Sequence, residues 1–220
     1  MIEIGISTEL KAKCGKVALG CVDAAVATGT TPPGLHEALR SCEEKIAKLP
    51  EPRAPLESSA ILATRAGYKA LGKDPSRYRG SAEALLRRLI AGKGMPRINN
   101  VVDVINLVSV ESRLPIGLYD LAHVEGAIEF RAGRAGETYK GLGKYDLNLE
   151  ELPLFADAQG PHGSPTSDSE RTMVTDATTR VLAIFISFGG ASALDRAMKR
   201  MKEMLETFCG AKDVDFKIVS

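Results

Sequence analysis

The sequence predicts an α+β fold, with helical and strand-forming stretches segregated along the chain. Three observations carry that reading. Apolar residues recur at helical spacing through much of the first half. The second half reads as short strands parted by Gly-rich turns. A strongly amphipathic helix and one alternating strand then close the chain.

Residues 2–6 alternate and read as a strand, and Ser7-Thr-Glu-Leu10 starts a helix. Val17 to Val26 is apolar and partly β-branched, which predicts a second strand before the turn cluster Thr28 to Gly34. From Pro33 to Lys48, Leu35, Leu39, Cys42 and Ile46 share one helical face. Glu51-Pro-Arg-Ala-Pro55 breaks that helix, and Glu57 to Leu71 forms another, ended by Gly72. Ser81 is the predicted N-cap of a helix to Ala91, with Gly92 just past its end. Asn99 or Asn100 caps a helix that runs to about Ser112 and stops before Pro115. Ala127–Arg131, Glu137–Tyr139, Leu152–Ala156 and Val181–Ser187 read as strands. From Ala191 to Cys209, Leu194, Met198, Met201, Leu205 and Phe208 form one stripe, and Val214 to Val219 alternates as a last strand.

The chain has 220 residues, 44% hydrophobic and 26% charged, enough for a core without staples. One domain over 1–220 is expected. The net charge of +1 announces neither a nucleic acid nor a membrane surface, and no apolar run is long enough to cross a bilayer. The N-terminus reads as a strand, not a signal peptide, so a cytoplasmic chain without a membrane partner is expected. Cys14, Cys21, Cys42 and Cys209 lie far apart without a Cys-x-x-Cys pair, so reduced buried thiols are expected and no metal site. Low aromatic content (5%, no Trp) argues against a platform for stacked bases.

Three segments are candidates for chemistry. Arg97, Asn99 and Asn100 precede a helix N-terminus, a place that suits a carboxylate or phosphate, and the bland alternative is helix capping. The loop from Gly160 to Thr172 gathers hydroxyls (Ser164, Thr166, Ser167, Ser169, Thr172), acids (Asp168, Glu170), Arg171 and His162. Gly160 and Gly163 permit close backbone approach there, and backbone amides could hold an oxyanion. Its alternative is a solvated loop whose Ser and Asp turns satisfy themselves. No Ser/His/Asp order is deducible. Lys73, Arg77, Arg79, Arg87, Arg88, Lys93 and Arg97 stand against only Asp74 and Glu83, a basic stretch that could meet phosphates or simply be solvated. His36 and His123 lack clustered partners and read as structural.

Three stretches are similar to a known family: Arg77-Tyr-Arg-x-Ser-x-Glu-Ala-Leu-x-Arg-Arg, then Arg97-Ile-Asn-Asn-Val-Val-Asp-Val-Ile-Asn-Leu-Val108, then Leu114-Pro-Ile-Gly-Leu-Tyr-Asp120 with Val124-Glu-Gly126. In that order they resemble the B3/B4 module of the phenylalanyl-tRNA synthetase beta subunit. The loop at Gly160, followed by Val174-Thr-Asp-Ala-Thr-Thr-Arg-Val-Leu182, extends the resemblance. It covers 77–190 most closely, without any aminoacylation core. It implies an α+β sandwich of sheets flanked by helices, a partner that is tRNA or aminoacyl-tRNA, and no metal or organic cofactor.

In the synthetase the module hydrolyses a wrongly esterified tyrosine. By that resemblance Asn99 and Asn100 line the ester pocket, and Gly160 presents backbone to the substrate. His162 is a possible base, and Arg97 faces phosphate. The loop is longer and more polar than the family's, so Gly163, Ser164, Thr166, Ser167, Asp168, Glu170, Arg171 and Thr172 are expected to contact a different, polar substrate. If the basic stretch meets phosphates rather than water, Arg77, Arg79, Arg87, Arg88 and Lys93 are the expected RNA contacts. Two positions depart: Gly117 stands where the family has His, and Ile184 where it has the Glu that reads the tyrosine hydroxyl. A pocket without that acceptor loses its discrimination for tyrosine. The expected function is therefore a free-standing hydrolase of a different misacylated tRNA, with a non-catalytic RNA or amino-acid binder, or a small-molecule protein that has left tRNA, as alternatives.

Overall fold

The two apolar runs at 17–26 and 181–187 lie side by side in the middle of the molecule, and neither has water on either face. The computed structural model describes residues 1–143 and 146–220. In chain order the elements are β1 (Ile4–Ile6), α1 (Thr8–Lys13), β2 (Ala18–Ala25), α2 (Pro33–Ala47), α3 (Ser59–Ala70), α4 (Ser81–Ile90), α5 (Asn100–Ser112), β3 (Ile116–Asp120), β4 (Ile128–Ala132), β5 (Thr138–Lys140), β6 (Asp146–Asn148), β7 (Pro153–Asp157), β8 (Gly160–Gly163), β9 (Arg180–Ser187), α6 (Leu194–Cys209) and β10 (Lys212–Val219).

One sheet runs β10-β2-β9-β3, antiparallel throughout. A second runs β1-β4-β7-β8, with β1 parallel to β4. The period of two along each strand assigns its residues to two cores. On one face Ala18, Val22, Ala24, Val181, Ala183 and Phe185 meet the helices. On the other Leu19, Cys21, Leu182, Ile184 and Ile186 meet Ile4, Ile128, Phe130 and Phe155 of the second sheet. The result is three layers, sheet on sheet and helices beyond, the α+β sandwich that the sequence predicts. A strand apolar on both sides shows no polar alternation, which is why β2 and β9 read as continuous runs.

Local sequence explains most boundaries. Ser7 caps α1, its Oγ accepting from Leu10 N at 3.2 Å. Asn99 caps α5, its Oδ1 accepting from Val102 N at 2.9 Å. The cap of α4 is Gly80, one residue before the predicted Ser81. A Cβ at position 80 would lie 3.1 Å from Thr64 and Pro115, and Ser81 N donates to Pro165 O at 2.7 Å, so the chain is pinned one step early. Three strands escape sequence reading. β3 is buried on both faces, and β6 is three residues long. β8 is Gly-Pro-His-Gly, a poor strand by composition. It works because β8 is an edge strand, where Pro161 need not donate to a ladder. All four cysteines are buried and free. Among the described residues no helix is long and apolar enough to cross a membrane.

Helix α3 meets the sandwich through Gly67. A Cβ there would fall 2.3 Å from the Phe188 ring. Gly67→Ala is therefore expected to destabilise the fold by about 1–3 kcal/mol through overpacking, despite the better helix propensity of Ala; urea unfolding of the two proteins measures it.

Candidate functional site

The polar segment after β8 is folded inward. Ser164 Oγ donates to Ser167 O at 2.9 Å and accepts from Ser167 N at 3.2 Å, a hydroxyl turn that ties the segment to itself. Outside groups then hold it: Tyr68 Oη and Thr166 Oγ1 share a hydrogen bond of 2.6 Å, and Tyr139 Oη donates to Ser167 O at 2.5 Å. Ser169 N donates to His162 O at 2.9 Å.

This clamp drives Asp168 into the end of the sandwich. Its Oδ2 accepts from Leu118 N at 3.2 Å, and its buried Oδ1 has no partner among the described residues. Burial pushes its carboxyl up to about 7, against the bond from Leu118 N that favours the charge. The Tyr119 hydroxyl lies beside that carboxyl without a regular hydrogen bond. Burial first, and then the Asp168 charge, raise that phenol well above its ordinary value. His162 is wholly buried, edge-on to Tyr119 with ring centroids 4.6 Å apart. Among the described residues neither imidazole nitrogen has a partner, and Ser169 Oγ is likewise alone. Burial pushes His162 down to about 4, the Asp157 carboxylate opposing and the Arg171 guanidinium reinforcing. At neutral pH the imidazole is uncharged, and Asp168 is the acid poised to exchange a proton. Among the described residues, five buried polar atoms without a protein partner in one cluster are far from the rule for native interiors.

The other candidates are engaged elsewhere. Asn100 accepts from Gly29 N at 2.8 Å and donates to Ala27 O and Phe208 O at 2.9 and 3.1 Å, joining the ends of β2 and α6 to α5. Arg97 pairs with Glu43 at 2.9 Å. Arg171 binds Asp157 through two nitrogens at 2.8 and 3.0 Å and also reaches Gly160 O at 3.2 Å, so it braces the β7–β8 hairpin. Glu170 pairs with Lys140 at 2.9 Å. Thr172 Oγ1 donates to His162 O at 3.4 Å. Gly160 has φ +114°, a conformation glycine alone adopts readily, with open space where a Cβ would stand. Of the basic stretch, Arg87 is tied to buried Glu83 at 2.8 Å and Arg88 to Gly94 O at 2.7 Å. Arg77, Arg79 and Lys93 are exposed. Ser81 N bonds the polar turn at Pro165, and Arg79 and Arg77 lie two and four residues before that bond. Among the described residues no group of three or more His, Cys, Asp or Glu could hold a metal ion.

A family model described as the B3/4 domain matches residues 63–210. The chain belongs to the B3/4 domain family. Relatives include the phenylalanine–tRNA ligase beta subunit of Paramagnetospirillum magneticum, 31% identical over 104 residues, which are 46% of this chain and 13% of that protein. The beta subunit of Symbiobacterium thermophilum is 32% identical over 106 residues, 47% of this chain and 12% of its own length. The chain thus matches a small part of these relatives. An N-terminal fragment of the phenylalanyl-tRNA synthetase beta subunit from Pyrococcus horikoshii has the same fold, with a TM-score of 0.52 over 100% of this chain and 50% of the fragment, at 17% identity.

Within this B3/4 chain the two departures noted in the sequence are direct neighbours, Gly117 of β3 standing opposite Ile184 of β9. The volume that a side chain at 117 would fill holds the Tyr119 phenol: a Cβ there would lie 2.1 Å from its Oη, and one at Gly163 2.2 Å. Tyr119 is the residue that motif reading passed over. The signal was present, a Tyr two places after a Gly that replaces a large side chain, both on one face of a strand.

Two outcomes test this geometry. Asn100→Ala is expected to cost about 2 kcal/mol or more, since it strands buried backbone groups, whereas Asn99→Ala should cost about 1 kcal/mol, a lost cap; denaturant unfolding separates them. The second is a pH profile. The native chain holds the extra proton at Asp168 between about pH 4 and 7, so that residue lowers stability as pH rises; the unfolded chain holds it at His162 between about pH 4 and 6.5, so that residue raises stability. The two slopes oppose each other in the parent. Asp168→Asn should leave the rising slope and His162→Gln the falling one; identical profiles for all three proteins would refute the assignment.

Proposed function

We propose that this chain is a tRNA-linked B3/4 module that hydrolyses an aminoacyl ester, with Asp168 as its acid–base group. One observation carries the reading: a buried carboxyl that titrates near neutrality, with a free oxygen, beside a lone phenol and a neutral imidazole at the register position where the family resemblance sets its pocket. A general base works best when its pKa lies near the working pH. Water attacks the ester carbonyl and gives its proton to the Asp168 carboxylate. The proton then passes to the departing ribose oxygen, leaving free amino acid and tRNA. With Ile184 apolar and the space beside Gly117 occupied by Tyr119, the acyl group is smaller than tyrosine. Arg77 and Arg79, shortly before the residue that bonds the polar turn, are the candidate phosphate contacts.

The buried state of every polar atom in the cluster favours a second reading, a module that closes over an amino-acid-like ligand without hydrolysis. Deacylation of a panel of correct and mischarged aminoacyl-tRNAs decides between them. Hydrolysis of at least one species, reduced a hundredfold or more in Asp168→Asn and little changed in Asn99→Ala, is the expected result. No hydrolysis across the panel, with a thermal shift on adding an amino acid, would replace the hydrolase with the binder.

A further inference from the structure

On the helical side of the molecule, a cleft of about 970 Å³ opens between α2, the end of α5 and the start of α6. The helix-facing core and the β10-β2-β9-β3 sheet separate it from the cluster around His162. Lys45, Arg113, Arg196 and Arg200 line it, with Glu111 as the one carboxylate among the described residues. Arg200 engages Glu111 at 3.0 Å and also Glu203 at 3.0 Å. Among the described residues, Lys45, Arg113 and Arg196 have no carboxylate at salt-bridge distance. Three cations without a salt-bridge partner among the described residues therefore share one concave surface.

Arg113 is the informative one. It ends α5 with a left-handed backbone, φ 65°, and donates to Val110 O. Its guanidinium is only partly exposed, and burial holds its pKa below the usual arginine value. The Glu111 carboxylate in the same cleft opposes that shift without reaching salt-bridge distance, so an anion in the cleft would relieve the remaining cost of a half-desolvated cation. Ser192 and the N-cap residue Ala193 of α6 border the same space, no side chain among the described residues caps that helix, and Asp195 in its first turn is paired with Lys199 at 2.8 Å.

We propose that this cleft binds a small phosphate ester with two or more negative charges, of nucleotide size. The volume lies within the range of small-molecule sites. Guanidinium groups match phosphate oxygens with paired donors, and helix N-terminal amides add to them. The proposal is independent of the hydrolase reading.

Calorimetric titration of the full chain at fixed ionic strength tests it with pyrophosphate, AMP, ADP, ATP and a short single-stranded RNA as probes. Saturable binding of at least one nucleotide is expected, at least tenfold weaker in Lys45→Gln/Arg196→Gln and unchanged in Asp168→Asn. Lys45 and Arg196 are both exposed, so the double variant should keep its fold, and its circular dichroism checks that. Absence of binding by every free phosphate, or equal affinity in the double variant, overturns the proposal. Binding of the RNA alone also overturns it and makes the cleft an RNA surface.

Discussion

The constraint on which the structure depends is that β2 and β9 cannot face water on either side. Each presents one apolar face to the helices and the other to the second sheet. Burial of apolar area supplies the driving force, and a strand apolar on both faces must find two covers. The helices supply one and the β1-β4-β7-β8 sheet the other. Once both are in place, β3 at the edge of one sheet and β8 at the edge of the other converge around Tyr119. The site is therefore a product of layering: it forms where two sheet edges meet and a polar turn seals the gap.

Sealing with polar residues has an energetic logic. A turn of hydroxyls can satisfy its own backbone groups within a few residues, as Ser164 does, so it can be buried where an ordinary loop could not. Tyr68 and Tyr139 fix it from outside. With the turn held, the Asp168 carboxyl loses the freedom to reach water. Its raised pKa follows from positioning by neighbours rather than from any charge nearby, since burial is the first cause and its backbone bond from Leu118 works the other way.

Much of this architecture was legible in the sequence, and what was not has physical reasons. Helices with a clear apolar face, such as α2 and α6, and the long runs of β2 and β9 announce themselves by period and length. β3 shows no alternation because both of its faces are covered, and β8 breaks composition rules that bind only inner strands. The density of polar residues at 160–172 marked the right segment. Sequence could not tell whether those groups point to solvent or inward, because that depends on Tyr68, Tyr119 and Tyr139, which lie 28 to 98 residues away along the chain. For the same reason Asp168 looked like one hydroxyl-rich neighbour among several, and Asn99 and Asn100 looked alike, although one caps a helix and the other joins three elements.

The phenol wedged between Gly117 and Gly163 also restricts the order in which these positions can evolve. A side chain cannot appear at either glycine while Tyr119 stands, because both sites are blocked by the same hydroxyl. Position 119 must shrink first, and only then are 117 and 163 open to change. Routes that begin at a glycine pass through a clash with that hydroxyl, so a large side chain at position 117 is sterically tied to the residue at 119.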